Sequence, residues 1–242
     1  MSTILPNELN VNEIKFSEIK ALDSGAKIMY MNYGENNSTM YIQVPEMELL
    51  WDPIYFAEAD DSGKYTCKLS FKGHSSNDQV DGFLNKMKEL DKYLMDCAVD
   101  NSKKWFGGKS LNKETIENLY NPGVKYAYDS NTGEINNNFA PTFSFKIVKR
   151  NGTHQCKLFD SNKDKINIDQ IDEDNYTEVT SLLKKSSRLQ VLLRCNGLWF
   201  AGGKFGSTWK AEQIKVNHFE SMNDYAFRDD DEDGEEVIIM DD

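Results

Sequence analysis

In three stretches of this chain, apolar residues recur at every second position. Tyr65, Cys67, Leu69 and Phe71 alternate with Thr66, Lys68, Ser70 and Lys72. Phe143, Phe145 and Ile147 alternate with Ser144, Lys146 and Val148. Leu189, Val191, Leu193 and Cys195 alternate with Gln190, Leu192 and Arg194. A period of two is what a β-strand with one buried face requires. Shorter strands are expected over 27–33 and 40–44, around Gly34-Glu35-Asn36-Asn37, and over 156–159 and 166–168. Strands 198–200 and 208–216 are expected on either side of a glycine-rich stretch, 201–207. One segment breaks the pattern: Val80, Phe83, Leu84, Met87, Leu90, Tyr93, Leu94 and Cys97 keep a 3.6 period, which predicts a helix over 76–100 with Ser76-x-x-Gln79 as its capping box. A shorter helix, 112–120, stops at Asn121-Pro122-Gly123. Short antiparallel strands with one long inserted helix predict a mainly β chain (β-rich α+β), folded as a small barrel and not as a parallel α/β sheet.

Charge divides the chain more sharply than composition does. The 242 residues hold 28 Lys+Arg and 40 Asp+Glu, a net charge of −12. As a total this argues against a polyanionic ligand. Residues 1–100 carry −8, residues 101–227 carry +4 and residues 228–242 carry −8. The final stretch holds Asp229, Asp230, Asp231, Glu232, Asp233, Glu235, Glu236, Asp241 and Asp242 against Arg228, with Val237-Ile238-Ile239-Met240 as its apolar patch. Just before it, 181–215 holds Lys184, Lys185, Arg188, Arg194, Lys204, Lys210 and Lys215 against Glu212 alone. The expected organisation is one domain, 1–227, followed by a disordered acidic tail, 228–242.

Several function classes lack their signatures. No apolar run approaches the roughly 18 residues of a membrane span, and Met1-Ser2-Thr3-Ile4-Leu5-Pro6 has no basic region before an apolar one. Cys67, Cys97, Cys156 and Cys195 are widely spaced, which fits free thiols in a reducing, intracellular compartment and offers no zinc-ligand spacing. Gly107-Gly108-Lys109-Ser110 ends like a phosphate-binding loop, but Lys103 stands where the loop requires glycine. Asp160-x-Asn162-x-Asp164 and Asp229-x-Asp231-x-Asp233-Gly234 begin like calcium loops and lack the closing glutamate. His74, His154 and His218 stand apart from any nucleophile signature. No catalytic residue, cofactor or metal is expected, and the protein is read as a non-enzyme.

What remains is aromatic residues interleaved with bases. Trp199, Phe200, Phe205 and Trp209 lie close to Lys204 and Lys210, with Arg194 just upstream; Lys104 and Trp105 form a second cluster. Exposed rings stack on unpaired bases and neighbouring lysines neutralise phosphates, a combination suited to single-stranded nucleic acid. The competing assignment of the same rings is the core.

Trp199-Phe200-Ala201-Gly202-Gly203-Lys204-Phe205-Gly206-Ser207-Thr208-Trp209-Lys210, with Lys104-Trp105-Phe106-Gly107, Asp129-Ser130-Asn131-Thr132-Gly133-Glu134, Ala140-Pro141-Thr142-Phe143 and Tyr225-Ala226-Phe227-Arg228-Asp229-Asp230-Asp231, resembles a protein family of nucleocytoplasmic large DNA viruses. That family resembles in turn the phage replicative single-stranded DNA-binding proteins, OB-folds with an acidic C-terminal tail. The resemblance implies an OB-like barrel with an inserted long helix. It also implies sequence-independent single-stranded DNA binding in viral replication, recombination and repair, in the host cytoplasm or nucleus. Stacking is then expected from Trp199, Phe200, Phe205, Trp209 and Trp105, and phosphate contacts from Lys184, Lys185, Arg188, Arg194, Lys204, Lys210 and Lys104. The tail residues Asp229, Asp230, Asp231, Glu232, Asp233, Glu235, Glu236, Ile238 and Ile239 are expected to compete for the DNA site and to recruit replication proteins. The phage-type tail ends in an aromatic residue, whereas this chain ends Ile239-Met240-Asp241-Asp242. A structural or scaffolding protein of the virus is the alternative, and a homodimer is one candidate for the oligomeric state.

Overall fold

Each alternating stretch forms the strand its period demands. In the computed structural model, which describes residues 3–169, 171–172, 175–176 and 179–217, five strands build the barrel: β1 (Met47–Leu49), β2 (Gly63–Ser70), β3 (Thr142–Arg150), β4 (Arg188–Ala201) and β5 (Lys204–Asn217). β1 runs antiparallel to β2, with Leu69 opposite Leu49, and to β4, with Leu189 opposite Met47. β2 and β3 are antiparallel from the Gly63–Lys149 pair to the Ser70–Thr142 pair. β3 meets β5 in parallel at Lys146–Lys210, and β5 returns antiparallel along β4. The order 1-2-3-5-4 thus leads back to 1. A five-stranded Greek-key barrel closed in this way is an OB-like fold. Ile54–Ala57 adds a strand to the start of β2, and Tyr41–Gln43 and Lys27–Met29 line β4.

The inserted helix α1 (Asp78–Asp100) lies between β2 and β3 in sequence. Its N-cap is Asn77, whose side chain accepts from the amides of Gln79 and Val80, and not the expected Ser76 box. Ser76 belongs to a 3-10 turn, His74–Ser76, and its hydroxyl donates to the Gly73 carbonyl. The 3.6-period stripe of Val80, Phe83, Leu84, Met87, Leu90 and Leu94 is buried. Phe83 lies 5.5 Å from the rings of both Phe71 and Phe143, which docks the helix on the barrel strands. No helix among the described residues is long and apolar enough to cross a membrane.

Two β-bulges decide which way the β4–β5 side chains point. Cys195 faces Trp209 and Gly197 faces Thr208, so Asn196 is the extra residue on β4. Leu192 faces Gln213 and Leu193 faces Ala211, so Glu212 is the extra residue on β5. One inserted residue moves everything beyond it to the opposite face. Leu189, Val191, Leu193 and Cys195 point inward before Asn196; after it Leu198 is buried and Trp199 turns outward. The bulge depends on Gly197, at φ +106°, where a Cβ would run into the Met29 carbonyl. Gly202 and Gly203, at φ 56° and 72°, make a two-residue turn between Ala201 and Lys204, so most of the expected glycine-rich loop is strand.

One buried carboxylate ties α1 to the segment entering β3. Asp91 accepts from the Tyr120 hydroxyl at 2.6 Å, the Gly123 amide at 2.8 Å and the Val124 amide at 3.1 Å. Burial, its largest influence, raises its pKa above the ordinary aspartate value despite these donors. Asp91→Ala strands three donors and is expected to cost about 3 kcal/mol or more in urea unfolding. The sign of the pH effect follows from the raised pKa. Above the unfolded value, near pH ~4, the folded chain holds a proton that the unfolded chain has released, so this site's contribution falls as pH rises until both states are ionised. Comparing the pH dependence of unfolding in the wild type and Asp91→Asn checks it: the falling component should be absent from the variant.

Candidate nucleic-acid interface

Because the barrel buries every second residue, its outer face is set by the residues between. On β2 these are Lys64, Thr66 and Lys68, and on β3 Ser144, Lys146 and Val148. Register then aligns them. Thr66 pairs with Lys146, Lys146 with Lys210 and Lys210 with Arg194, so three cations sit side by side on β3, β5 and β4. Adjacent strands are about 4.8 Å apart, so the row is dense in charge. Lys64 and Lys68 flank it on β2, and Lys125, opposite Thr142, extends it beyond β3.

Compensation along the row is partial. The bulged Glu212 reaches Lys210 at 2.8 Å and Arg194 at 3.7 Å, and Glu58 holds Lys64 at 2.7 Å. Lys146 has no carboxylate within ion-pair distance among the described residues. Burial lowers the Lys146 pKa from the ordinary lysine value; the charge of Lys64 adds to this and Glu58 opposes it. Burial likewise lowers Lys125, with Asp91 opposing and Lys68 adding. The face therefore carries positive charge that the protein does not neutralise, and an anion would relieve it.

Flat apolar groups border the row. Phe56, opposite Lys64, is 49% exposed, and Ile54, opposite Thr66, is exposed beside it. Trp51 is 40% exposed, with the Lys68 amine 4.4 Å from its ring centre. Trp199, turned outward by the Asn196 bulge, lines a cleft of about 230 Å³ with Thr66, Asn121, Ser144, Lys146 and Thr208.

Three expected stacking residues are corrected by their burial. Phe205 is 0%, Trp209 3% and Trp105 5% exposed, so none offers a ring face to a base. Phe205 stacks on Phe200 at 5.7 Å and 10°, Phe200 packs edge-on against Trp105 and Phe106, and Trp209 meets Phe143. These rings hold the β4–β5 hairpin to the body. The expected phosphate ligands divide similarly. Arg194 and Lys210 belong to the row. The Lys204 amine donates to the Asn118 carbonyl, Lys104 pairs with Glu18 and Arg188 with Glu46. Lys184, Lys185 and Arg188 precede or begin β4, and Arg188 stands about 20 Å along the strand from Arg194. Sequence reasoning missed Lys64, Lys68, Lys125, Lys146, Trp51 and Phe56. Lys68 and Lys146 were readable as polar positions of alternating strands; 54–57, exposed at all four residues, carries no period.

The buried thiols of Cys67 and Cys195 are pushed up to about 12 by burial, so both are protonated at neutral pH. Among the described residues no three His, Cys, Asp or Glu side chains converge to hold a metal ion. The acidic tail, 228–242, lies outside the described residues.

No curated protein matches the chain in sequence. Among solved structures, it is similar to the single-stranded DNA-binding protein of bacteriophage Enc34 in complex with ssDNA, at 10% identity and a TM-score of 0.45 over 86% of this chain and 97% of that one. It is also similar to gp2.5, a single-stranded DNA-binding protein encoded by bacteriophage T7, at 12% identity and a TM-score of 0.41 over 85% and 100%. At these scores neither likeness transfers a function. A family model described as a family of unknown function, DUF5871, matches residues 70–229. The chain belongs to the DUF5871 family.

Proposed function

We propose that this protein binds single-stranded DNA without sequence preference, across the outer face of β2, β3, β5 and β4. The observation that carries the proposal is the row Lys146–Lys210–Arg194, under-compensated and bordered by the exposed rings of Phe56 and Trp51 and the half-buried ring of Trp199. OB barrels use the faces of their second and third strands for oligonucleotides or oligosaccharides. Uncompensated lysine favours the polyanion. Ring faces standing free favour a strand whose bases are unpaired, because a duplex hides its base faces. Phosphates take Lys146, Lys210, Arg194, Lys64 and Lys125, and bases take Phe56 and Trp199. The process served is replication, recombination and repair of viral DNA. The acidic tail competes for the same cations within the molecule and recruits partner proteins when DNA displaces it. The scaffolding alternative agrees with the burial of Phe205, Trp209 and Trp105, but it gives no role to the cationic row or to the exposed Phe56 and Trp51.

Two outcomes follow. Phe56→Ala and Trp199→Ala should each weaken binding of fluorescent oligo-dT by about tenfold or more, with unchanged urea midpoints. Trp209→Ala should instead lose about 3–5 kcal/mol of stability, as a core ring does. A chain truncated after Phe227 should bind oligo-dT more tightly than the full chain, with affinity falling steeply as salt rises. No binding by the truncated chain at low salt contradicts the proposal.

A further inference from the structure

The outer face contains one contact in which a cation and a ring already satisfy each other. The Lys68 amine sits 4.4 Å from the Trp51 ring centre, over the face a stacked base would need. No carboxylate lies within ion-pair distance of Lys68 among the described residues, and the like-charged Lys125 stands near it. The backbone on either side of Trp51 is anchored. The Leu50 amide donates to the Lys68 carbonyl at 2.8 Å, the Asp52 carboxylate accepts from the Lys185 amide at 2.6 Å, and Pro53 stiffens the next step. Lys68 shares its face with Ser144, a lining residue of the Trp199 cleft, so the pair is continuous with the cationic row.

We propose that Trp51 and Lys68 are an exchange pair for one nucleotide. In the free protein the ammonium covers the indole; in the complex a base takes the indole face and the displaced ammonium takes the phosphate of that nucleotide. Lys68 thus keeps an exposed indole covered until a ligand arrives that offers both a ring and an anion. A free phosphate offers no replacement for the ring contact and an uncharged aromatic offers none for the ammonium, so the pair selects nucleotides over either part. This inference rests on the single-strand reading and adds to it a defined subsite.

The test uses the full-length chain, fluorescent oligo-dT and a salt series. Trp51→Ala should bind about tenfold more weakly at every salt concentration, with an unchanged slope of log affinity against log salt. Lys68→Met should lower that slope by about one, so that it binds more weakly than the wild type at low salt and converges with it as salt rises. Oligo-dT should quench the indole emission of the wild type, and Trp51→Phe should lack that component. If Trp51→Ala lowers the urea midpoint, the quenching difference in Trp51→Phe decides. Binding by Trp51→Ala equal to the wild type, an unchanged slope in Lys68→Met, or unchanged quenching in Trp51→Phe overturns the exchange pair and leaves the single-strand reading standing. Failure of the wild type to bind overturns both.

Discussion

The barrel closes through one parallel contact, between β3 and β5, and that contact places Lys146 beside Lys210. Like charges directly across a strand pair destabilise a sheet. Here the repulsion cannot relax by a slip of register, because a one-residue shift would turn Phe143, Phe145 and Trp209 out of the core. Lys210 is paired with Glu212, and it is burial, with the charge of Lys64 adding and Glu58 opposing, that lowers the Lys146 pKa. The fold therefore holds an electrostatic conflict in place by hydrophobic packing. Conflicts of this kind, where every other level of the sequence agrees with the fold, mark sites that a ligand completes.

The two bulges refine the conflict. Extra residue Glu212 is delivered to Lys210 and Arg194 and quiets that part of the row, leaving Lys146 at its other end without an ion-paired acid among the described residues. Extra residue Asn196 inverts β4 beyond it and brings Trp199 to the outer cleft while Phe200 turns in to stack on Phe205. A single hairpin thus separates its aromatics into two populations. Phe200, Phe205 and Trp209 hold the hairpin to the body; Trp199 faces outward beside Lys146.

This explains how much of the molecule is legible in its residues. The barrel strands, the long helix and the inward positions of 65–71 and 143–147 follow from period alone, because burial on one face imposes it. The alternation also marked Lys68 and Lys146 as outward. The aromatic cluster 199–209 was assigned to the surface as a block, and most of it is core. Local composition cannot show that one residue at 196 and another at 212 fall out of register, and those two residues reverse the facing of everything between them. Phe56 and Trp51 were hidden for a different reason: neither stands in a periodic stretch, Phe56 lying on a short strand added at the start of β2 and Trp51 in the bend before it. The cap of α1 shifted by one residue because the 3-10 turn before it already uses Ser76.

The central claim is that the charge of Lys146, opposed by burial and by Lys64, is kept for an anionic strand. Lys146→Met preserves the length and much of the apolar stem of the side chain while removing the charge. Two quantities measured on this one variant test the claim together: the urea midpoint of the free protein and the affinity for oligo-dT at low salt. The account predicts that they move in opposite directions, with the free variant up to about 1 kcal/mol more stable and its DNA binding weaker. A variant that is less stable, or that binds oligo-dT as tightly as the wild type, would contradict it.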